Sequence, residues 1–196
     1  LAQAAAKKRK AVLGLIEDHV GSKHKVVVFT ARKADCEALG LEVNKTEGVK
    51  KDGVTVWTAH GEMSTAMRQT IVDDYMAHPG PCVLIATGQS FGESLNLQDT
   101  DAALFVMLPY DPGNLRQWEG RFCRHGQKRP VVIYYVIAEG TVDEHVAAIL
   151  IDKLPSVEKI AKDTELAAAS SVLSGIDPNE SSEAFAESVL SYLDFG

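Results

Sequence analysis

KVVVFTARKADCEAL, residues 25–39, decides the fold. Its first six residues are a short apolar run rich in Val and Phe, and Arg32 onward reads as a helix over about 32–40. Four further runs repeat the theme: VTVWTA (54–59), VLIAT (83–87), AALFVML (102–108) and VVIYYVI (131–137). They are continuously apolar rather than alternating, as strands covered on both faces must be. Helical patterns near 64–77 and 114–124 separate them, so strand and helix alternate and right-handed crossovers build a parallel sheet. The predicted class is α/β, a parallel sheet sandwiched by helices.

Outward from this centre the patterns change. Residues 2–20 read as a helix in which Val12, Leu15, Ile16 and His19 or Val20 recur at helical spacing, with Gly21-Ser22 as its stop. EVNKTEGVKKDG, residues 42–53, is polar and reads as a loop or insertion. Beyond Gly140, Thr141 followed by Glu144 marks a capping box, and Pro155 is expected to break or restart the helix it opens. SGIDPNESSE (174–183) reads as a linker before a short helix over about 183–193.

The chain has 196 residues, 45% of them hydrophobic, enough for one core with an appendage. No run of about eighteen apolar residues occurs, which excludes a membrane-spanning helix. The start, LAQAAAKKRKAVLG, has neither an initiating Met nor an apolar signal core, and the chain is expected to be part of something longer. Cys36, Cys82 and Cys123 lack paired spacing, so neither a disulfide framework nor a zinc site is indicated. A reducing intracellular setting, cytoplasmic or nuclear, fits best.

The net charge of −7 is unevenly spread. Residues 1–138 hold 17 Lys and Arg against 15 Asp and Glu, and residues 139–196 hold 3 against 12. The acidity belongs to the tail, so it does not argue against a polyanionic partner of the main domain.

The densest chemical signal is QWEGRFCRHGQ, residues 117–127. Arg121 and Arg124 stand three apart and share one side of a helix. Two guanidiniums flanked by Gly120 and Gly126 suit a polyphosphate. On spacing alone, a solvated basic helix end accounts for them better.

The surroundings change that balance. QWEGRFCRHGQ resembles motif VI of the superfamily-two helicases, QxxGRxxRxGQ, and its Gly126-Gln127 ending is similar to the Swi/Snf-related branch. VLIATGQSFGESLNLQDTDAALFVMLPYDPGN (83–114) resembles motif V and its sequel, HKVVVFTARKADCEAL (24–39) resembles motif IV, and TAHGEMSTAMRQTIVDDY (58–75) resembles the segment between them. GTVDEHVAAILIDKL, from Gly140, is similar to the helix after motif VI. Order and spacing agree over roughly residues 10–165. Two departures stand out: Ser94 replaces the family's Gly, and Tyr110-Asp111-Pro112 replaces Trp-Asn-Pro.

The resemblance implies a RecA-like C-terminal lobe over 22–140, preceded by a helix or linker (1–21) and followed by an acidic helical extension (141–196). It implies that Arg121 and Arg124 act as arginine fingers on ATP held opposite by an N-terminal RecA-like lobe, with Gln117 coupling the phosphate end to the rest of the site. Gly92, Glu93, Asn96 and Gly120 are expected on the nucleotide side. Thr30, Arg32, His60, Gly61, Thr87, Gly88 and Ser90 are expected along a DNA track at the strands' carboxyl ends, where backbone N–H groups and small hydroxyls suit phosphates. Taken alone, Thr30 and Thr87 are better read as caps of the segments that follow.

No Gly is followed by Lys anywhere, so the chain has no GxxxxGK[ST] phosphate loop. Mg2+ is therefore expected on the N-terminal lobe. The expected function is half of a DNA-dependent ATPase, a translocase or helicase-like enzyme whose isolated lobe hydrolyses little ATP. Two alternatives are an orphan nucleic-acid- or protein-binding module and an RNA helicase lobe. Asp143-Glu144-His145 mimics a DExH box but falls in a helix's first turn, where acids serve the dipole. KKRK (7–10) reads as a solvated face, His19, His24 and His78 as surface or core histidines, and Trp57 and Trp118 as packing residues.

Overall fold

The computed structural model describes residues 2–51, 53–88, 97–122 and 130–161. Helix α1 (Ala2–Gly21) leads into β1 (Lys25–Thr30), α2 (Lys33–Val43), α3 (Glu47–Lys51), β2 (Thr55–Ala59), α4 (Thr65–Ala77), β3 (Cys82–Thr87), β4 (Ala102–Phe105), α5 (Pro112–Glu119), β5 (Val132–Tyr135) and α6 (Val142–Ala161). The strands form one sheet in the order β2-β3-β1-β4-β5, and every neighbouring pair is parallel. All five carboxyl ends therefore lie along one edge. The chain runs from β1 towards one side of the sheet and from β4 towards the other. β1 and β4 flank the switch point, where open α/β sheets take their ligands.

The two faces of the sheet are sorted by the two-residue period of the strands. Val27, Phe29, Leu84, Ala86, Ala103 and Phe105 face α4, α5 and α6, meeting Val72, Tyr75, Trp118 and Leu150. Val26, Val28, Val83, Ile85, Ala102 and Leu104 face α1 and α2, meeting Val12, Ile16, Val20, Leu39 and Val43. Both faces are covered, which is why the strands are apolar throughout. Gly40 lets α2 lie close against β2, since a Cβ there would stand 2.5 Å from Thr58 Cγ2.

Three elements depart from the sequence reading. The polar stretch 42–53 contains α3, because Val49 is buried and supplies an apolar anchor that the surrounding charges conceal. Helix α6 runs on through Pro155. A proline removes one hydrogen bond and crowds the preceding turn, and here good helix formers on both sides carry the helix across. Helix α5 starts and ends earlier than expected. Asp111 caps it by accepting from Asn114 N at 3.1 Å, and Pro112 takes the first turn.

The segments set apart as a leading helix and a trailing extension are part of the packed body as far as residue 150. Val12, Ile16 and Val20 of α1, and Val146, Ala147 and Leu150 of α6, all lie in the two cores. The linker and acidic helix expected beyond residue 161 lie outside the described residues. Among those described, no helix is long and apolar enough to cross a membrane.

Lys8 and Lys25 are buried cations that join the layers. Lys8, expected in a solvated basic run, has its side chain only 3% exposed and pairs with Asp143 at 2.6 Å. It also donates to the Val106 carbonyl, while Asp143 accepts from Ala138 N at 3.0 Å. Asp143 therefore spends its charge tying α6 to α1, a packing role rather than a metal-binding one. Lys25, at the opposite end of the sheet, donates to the carbonyls of Tyr75 and Met76 and to Asp99 at 2.7 Å. Its own peptide N–H donates to Asp101 at 2.8 Å.

At the end of α1, Lys23 adopts a left-handed φ of 66°. The resulting turn brings His19 and His24 together with their Nδ1 atoms 3.0 Å apart, while His19 Nε2 meets the Tyr134 hydroxyl at 3.0 Å. Burial, and next the charge of His24, push the His19 pKa below its ordinary value, outweighing Asp18 and Asp101.

Breaking a buried ion pair from one side leaves an uncompensated charge, so Lys8→Met is expected to lower unfolding free energy by about 3 kcal/mol in urea titrations. Adding Asp143→Asn to it should recover part of that loss. The lowered His19 pKa means the unfolded chain binds the proton more readily. Stability from this site is present above about pH 6.5 and is lost as pH falls through the folded-state value. The melting temperature should drop from about pH 7.5 to about 5.5, less steeply in His19→Gln.

Candidate nucleotide and nucleic-acid site

The site grows from an aromatic platform. Phe29 near the end of β1 and Phe105 at the end of β4 lie side by side, with ring centroids 5.1 Å apart. Trp118 stacks over both, tilted by only 5° from Phe105 and 27° from Phe29. Phe122 meets the same two rings edge-on, and Tyr135 of β5 stacks on Phe105. Such pairs add about 0.5–1.5 kcal/mol each beyond the area they bury. Trp118 and Phe122 bracket Gly120 and Arg121, so the platform fixes this turn against the carboxyl ends of the two central strands.

Gly88, just past β3, lies under the indole. A Cβ there would stand 2.7 Å from Trp118 Cζ2. The glycine is therefore explained by packing, and it carries the end of β3 directly against α5. Trp118, buried at 5% exposure, and Trp57, edge-on to Tyr75 and His78, are both packing residues.

Backbone bonds complete the turn. Gly120 N donates to Arg116 O at 2.9 Å, Arg121 N to Trp118 O at 3.0 Å and Phe122 N to Glu119 O at 3.0 Å. Leu97 N, at the end of the motif V run, donates to Arg121 O at 3.2 Å. Two segments that the sequence separates are thus bonded peptide to peptide.

Of the nucleotide-side residues, Gln117 is exposed on α5, Gly120 is half-buried and Arg121 is 7% exposed. The Gly120 backbone has ordinary helical angles, with φ of −62°; what favours glycine is a space 3.2 Å from the Arg116 carbonyl. Arg124, Gly92, Glu93 and Asn96 lie outside the described residues, as do Gly126 and Gln127. A guanidinium and an amide beside a narrow glycine are the donor types a polyphosphate takes. Among the described residues no three His, Cys, Asp or Glu side chains gather as metal ligands do.

The track residues follow the carboxyl edge. Thr30 and Thr87 are buried, and the Thr30 hydroxyl donates across to the Ala86 carbonyl at 3.3 Å. Arg32 is exposed and chelates Asp35 through Nε at 2.9 Å and Nη2 at 3.1 Å. It starts α2 in extended conformation without a side-chain cap. Gly61 is exposed, whereas His60 is buried with Nε2 3.5 Å from Glu37. Gly88 closes the series, and Ser90 lies outside the described residues.

Sequence reasoning missed Arg116 and Glu119, a buried pair 3.1 Å apart on α5, and the aromatic platform itself. The signal for the pair was available as opposite charges three residues apart on a helix. The thiols of Cys36 and Cys82 are buried, and desolvation pushes their pKa values up to about 11 and about 12. They remain protonated and play the part of small core residues.

The model of the helicase conserved C-terminal domain matches residues 7–126. The chain belongs to that family. It is 31% identical over 155 residues to a SWI/SNF-related, actin-dependent regulator of chromatin, subfamily A-like protein 1, from Xenopus tropicalis, covering 76% of this helicase lobe and 15% of the relative. It is 24% identical over 152 residues to an ATP-dependent helicase of Mycoplasma pneumoniae, covering 78% and 14%. The chain thus spans about one seventh of these relatives. Among solved structures, the C-terminal part of the Fun30 ATPase domain superposes with a TM-score of 0.62 at 18% identity, covering 72% of this chain and 44% of that one. Domain 2 of the DEAD-box helicase Mss116p, bound to an RNA duplex, gives 0.58 at 18%, covering 77% and 55%. These two likenesses carry the fold, a RecA-like lobe.

Gly88→Ala should push the indole off its platform. The expected cost is about 1–3 kcal/mol in denaturant unfolding, accompanied by a change in Trp fluorescence. An unchanged emission spectrum with unchanged stability would show that the contact is not made.

Proposed function

We propose that this lobe is the C-terminal half of the motor in an ATP-hydrolysing, DNA-stimulated translocase or helicase-like enzyme. The observation that carries the reading is the Leu97–Arg121 backbone bond at the carboxyl edge of the sheet. It joins the end of the run resembling motif V to the turn resembling motif VI, so that a nucleic-acid loop and a nucleotide-side arginine share one peptide contact.

In this reading ATP is held between this lobe and an N-terminal RecA-like lobe, which supplies the phosphate loop and holds Mg2+. Arg121 and Arg124 approach the transferring phosphoryl group as cations that offset its charge. Arg121 reaches that task from a pinned backbone and an enclosed setting, conditions under which a cation needs little reorganisation and is weakly screened. Gln117, exposed one turn earlier, supplies an amide to the same face, and Gly92, Glu93, Gly120 and Asn96 complete the nucleotide side. DNA phosphates run along the carboxyl edge, meeting Arg32, Gly61, Ser90 and the uncapped first turn of α2, a favourable place for anions. Thr30, His60, Thr87 and Gly88 hold that edge in shape from beneath. Contacts of this kind follow the backbone without reading bases, as a motor that moves along any sequence requires. The setting is intracellular, cytoplasmic or nuclear.

In the full-length protein, Arg121→Ala and Arg124→Ala are each expected to lower ATP turnover by roughly 10³-fold or more. DNA affinity, measured by fluorescence anisotropy, should stay within about threefold, because this reading assigns both side chains to the nucleotide and not to the track. Turnover stimulated by DNA, duplex or single-stranded, more than by RNA is the expected preference. Full turnover in both variants would overturn the reading.

A further inference from the structure

Two buried charges on α5 have no part in the scheme above. Arg116 and Glu119 have side chains only 8% and 4% exposed, and Arg116 Nη1 lies 3.1 Å from Glu119 Oε2. The other carboxylate oxygen, Oε1, accepts a hydrogen bond from the Tyr135 hydroxyl. Withdrawing an ion pair from water costs several kcal/mol per ion, and an apolar pair of the same size often serves stability as well or better. Stability alone is therefore a poor reason for placing charges here. What a satisfied buried network does provide is a single allowed geometry.

The geometry it sets is that of the Arg121 turn. The Arg116 carbonyl accepts from Gly120 N and the Glu119 carbonyl from Phe122 N, so both charged residues are backbone anchors on either side of Arg121. Tyr135 holds the Glu119 carboxylate from β5, while its ring stacks on Phe105 beneath Trp118. The turn is thereby tied at once to its own helix and to the neighbouring strand. We propose that Arg116, Glu119 and Tyr135 are positioning residues for Arg121, setting where its guanidinium stands at the nucleotide. The proposal rests on the reading of Arg121 as a finger. It adds that the network contributes to the chemical step and not to substrate binding.

The test compares Tyr135→Phe, Glu119→Gln and the double variant in the full-length protein, with Arg121→Ala alongside. Steady-state ATP hydrolysis at saturating duplex DNA gives kcat and KM, and thermal unfolding gives Tm. Tyr135→Phe keeps the stacked ring and removes only the hydroxyl. It is expected to lower kcat about tenfold while KM for ATP stays within about twofold, the pattern of an interaction felt in the transition state. Glu119→Gln should lower kcat at least as much, and the double variant no further, because members of one network are not additive. Should Glu119→Gln fail to fold, Tyr135→Phe decides alone.

Wild-type kcat in Tyr135→Phe overturns the proposal, whether or not Tm falls, since the network would then be structural only. With Arg121→Ala inactive, that result leaves the finger reading standing. With Arg121→Ala active as well, both fall together.

Discussion

Everything specific about this lobe depends on one stack of rings. Trp118 lies across Phe29 and Phe105 at the carboxyl ends of the two strands that flank the switch point. Dispersion and burial hold it there, and neither is directional enough to place a functional turn alone. The indole becomes directional because Gly88 leaves room for it at the end of β3 and because Phe122 meets the same two phenyl rings edge-on. The chain between Trp118 and Phe122 then has little freedom, and Arg121 lies within it.

Charge is arranged around this apolar centre as fasteners between layers. Lys8 and Asp143 join α1 to α6, Lys25 joins β1 to the end of α4, and Arg116 with Glu119 joins α5 to β5 through Tyr135. Each sits where two elements meet, with further hydrogen bonds to backbone carbonyls for Lys8 and Lys25 and from the Tyr135 hydroxyl for Glu119. Isolated from those partners, such charges would be liabilities. Paired, they fix the registry of helices on the sheet more sharply than apolar contacts can.

The sheet was legible because its signal is local: KVVVFT, VLIAT and AALF are apolar on both faces and end where turn residues begin. The family was legible because Gln117, Gly120 and Arg121 occur at fixed spacing. Less legible were features whose cause lies far along the chain. Val49 anchors α3 inside a polar stretch only because α1 covers it, and α6 crosses Pro155 against the local rule. Lys8 looked solvated because its partners, Asp143 and Val106, are about a hundred residues away or more. The Tyr110-Asp111-Pro112 departure looked larger than it is. Asp and Asn cap a helix through the same kind of oxygen, and the added negative charge suits the dipole at that end.

The bond between Leu97 N and Arg121 O involves no side chain. Evolution can exchange either residue for almost any other and leave the contact in place, with proline at 97 the clear exception. A joint of that kind is inherited through the shape of the chain rather than through its letters.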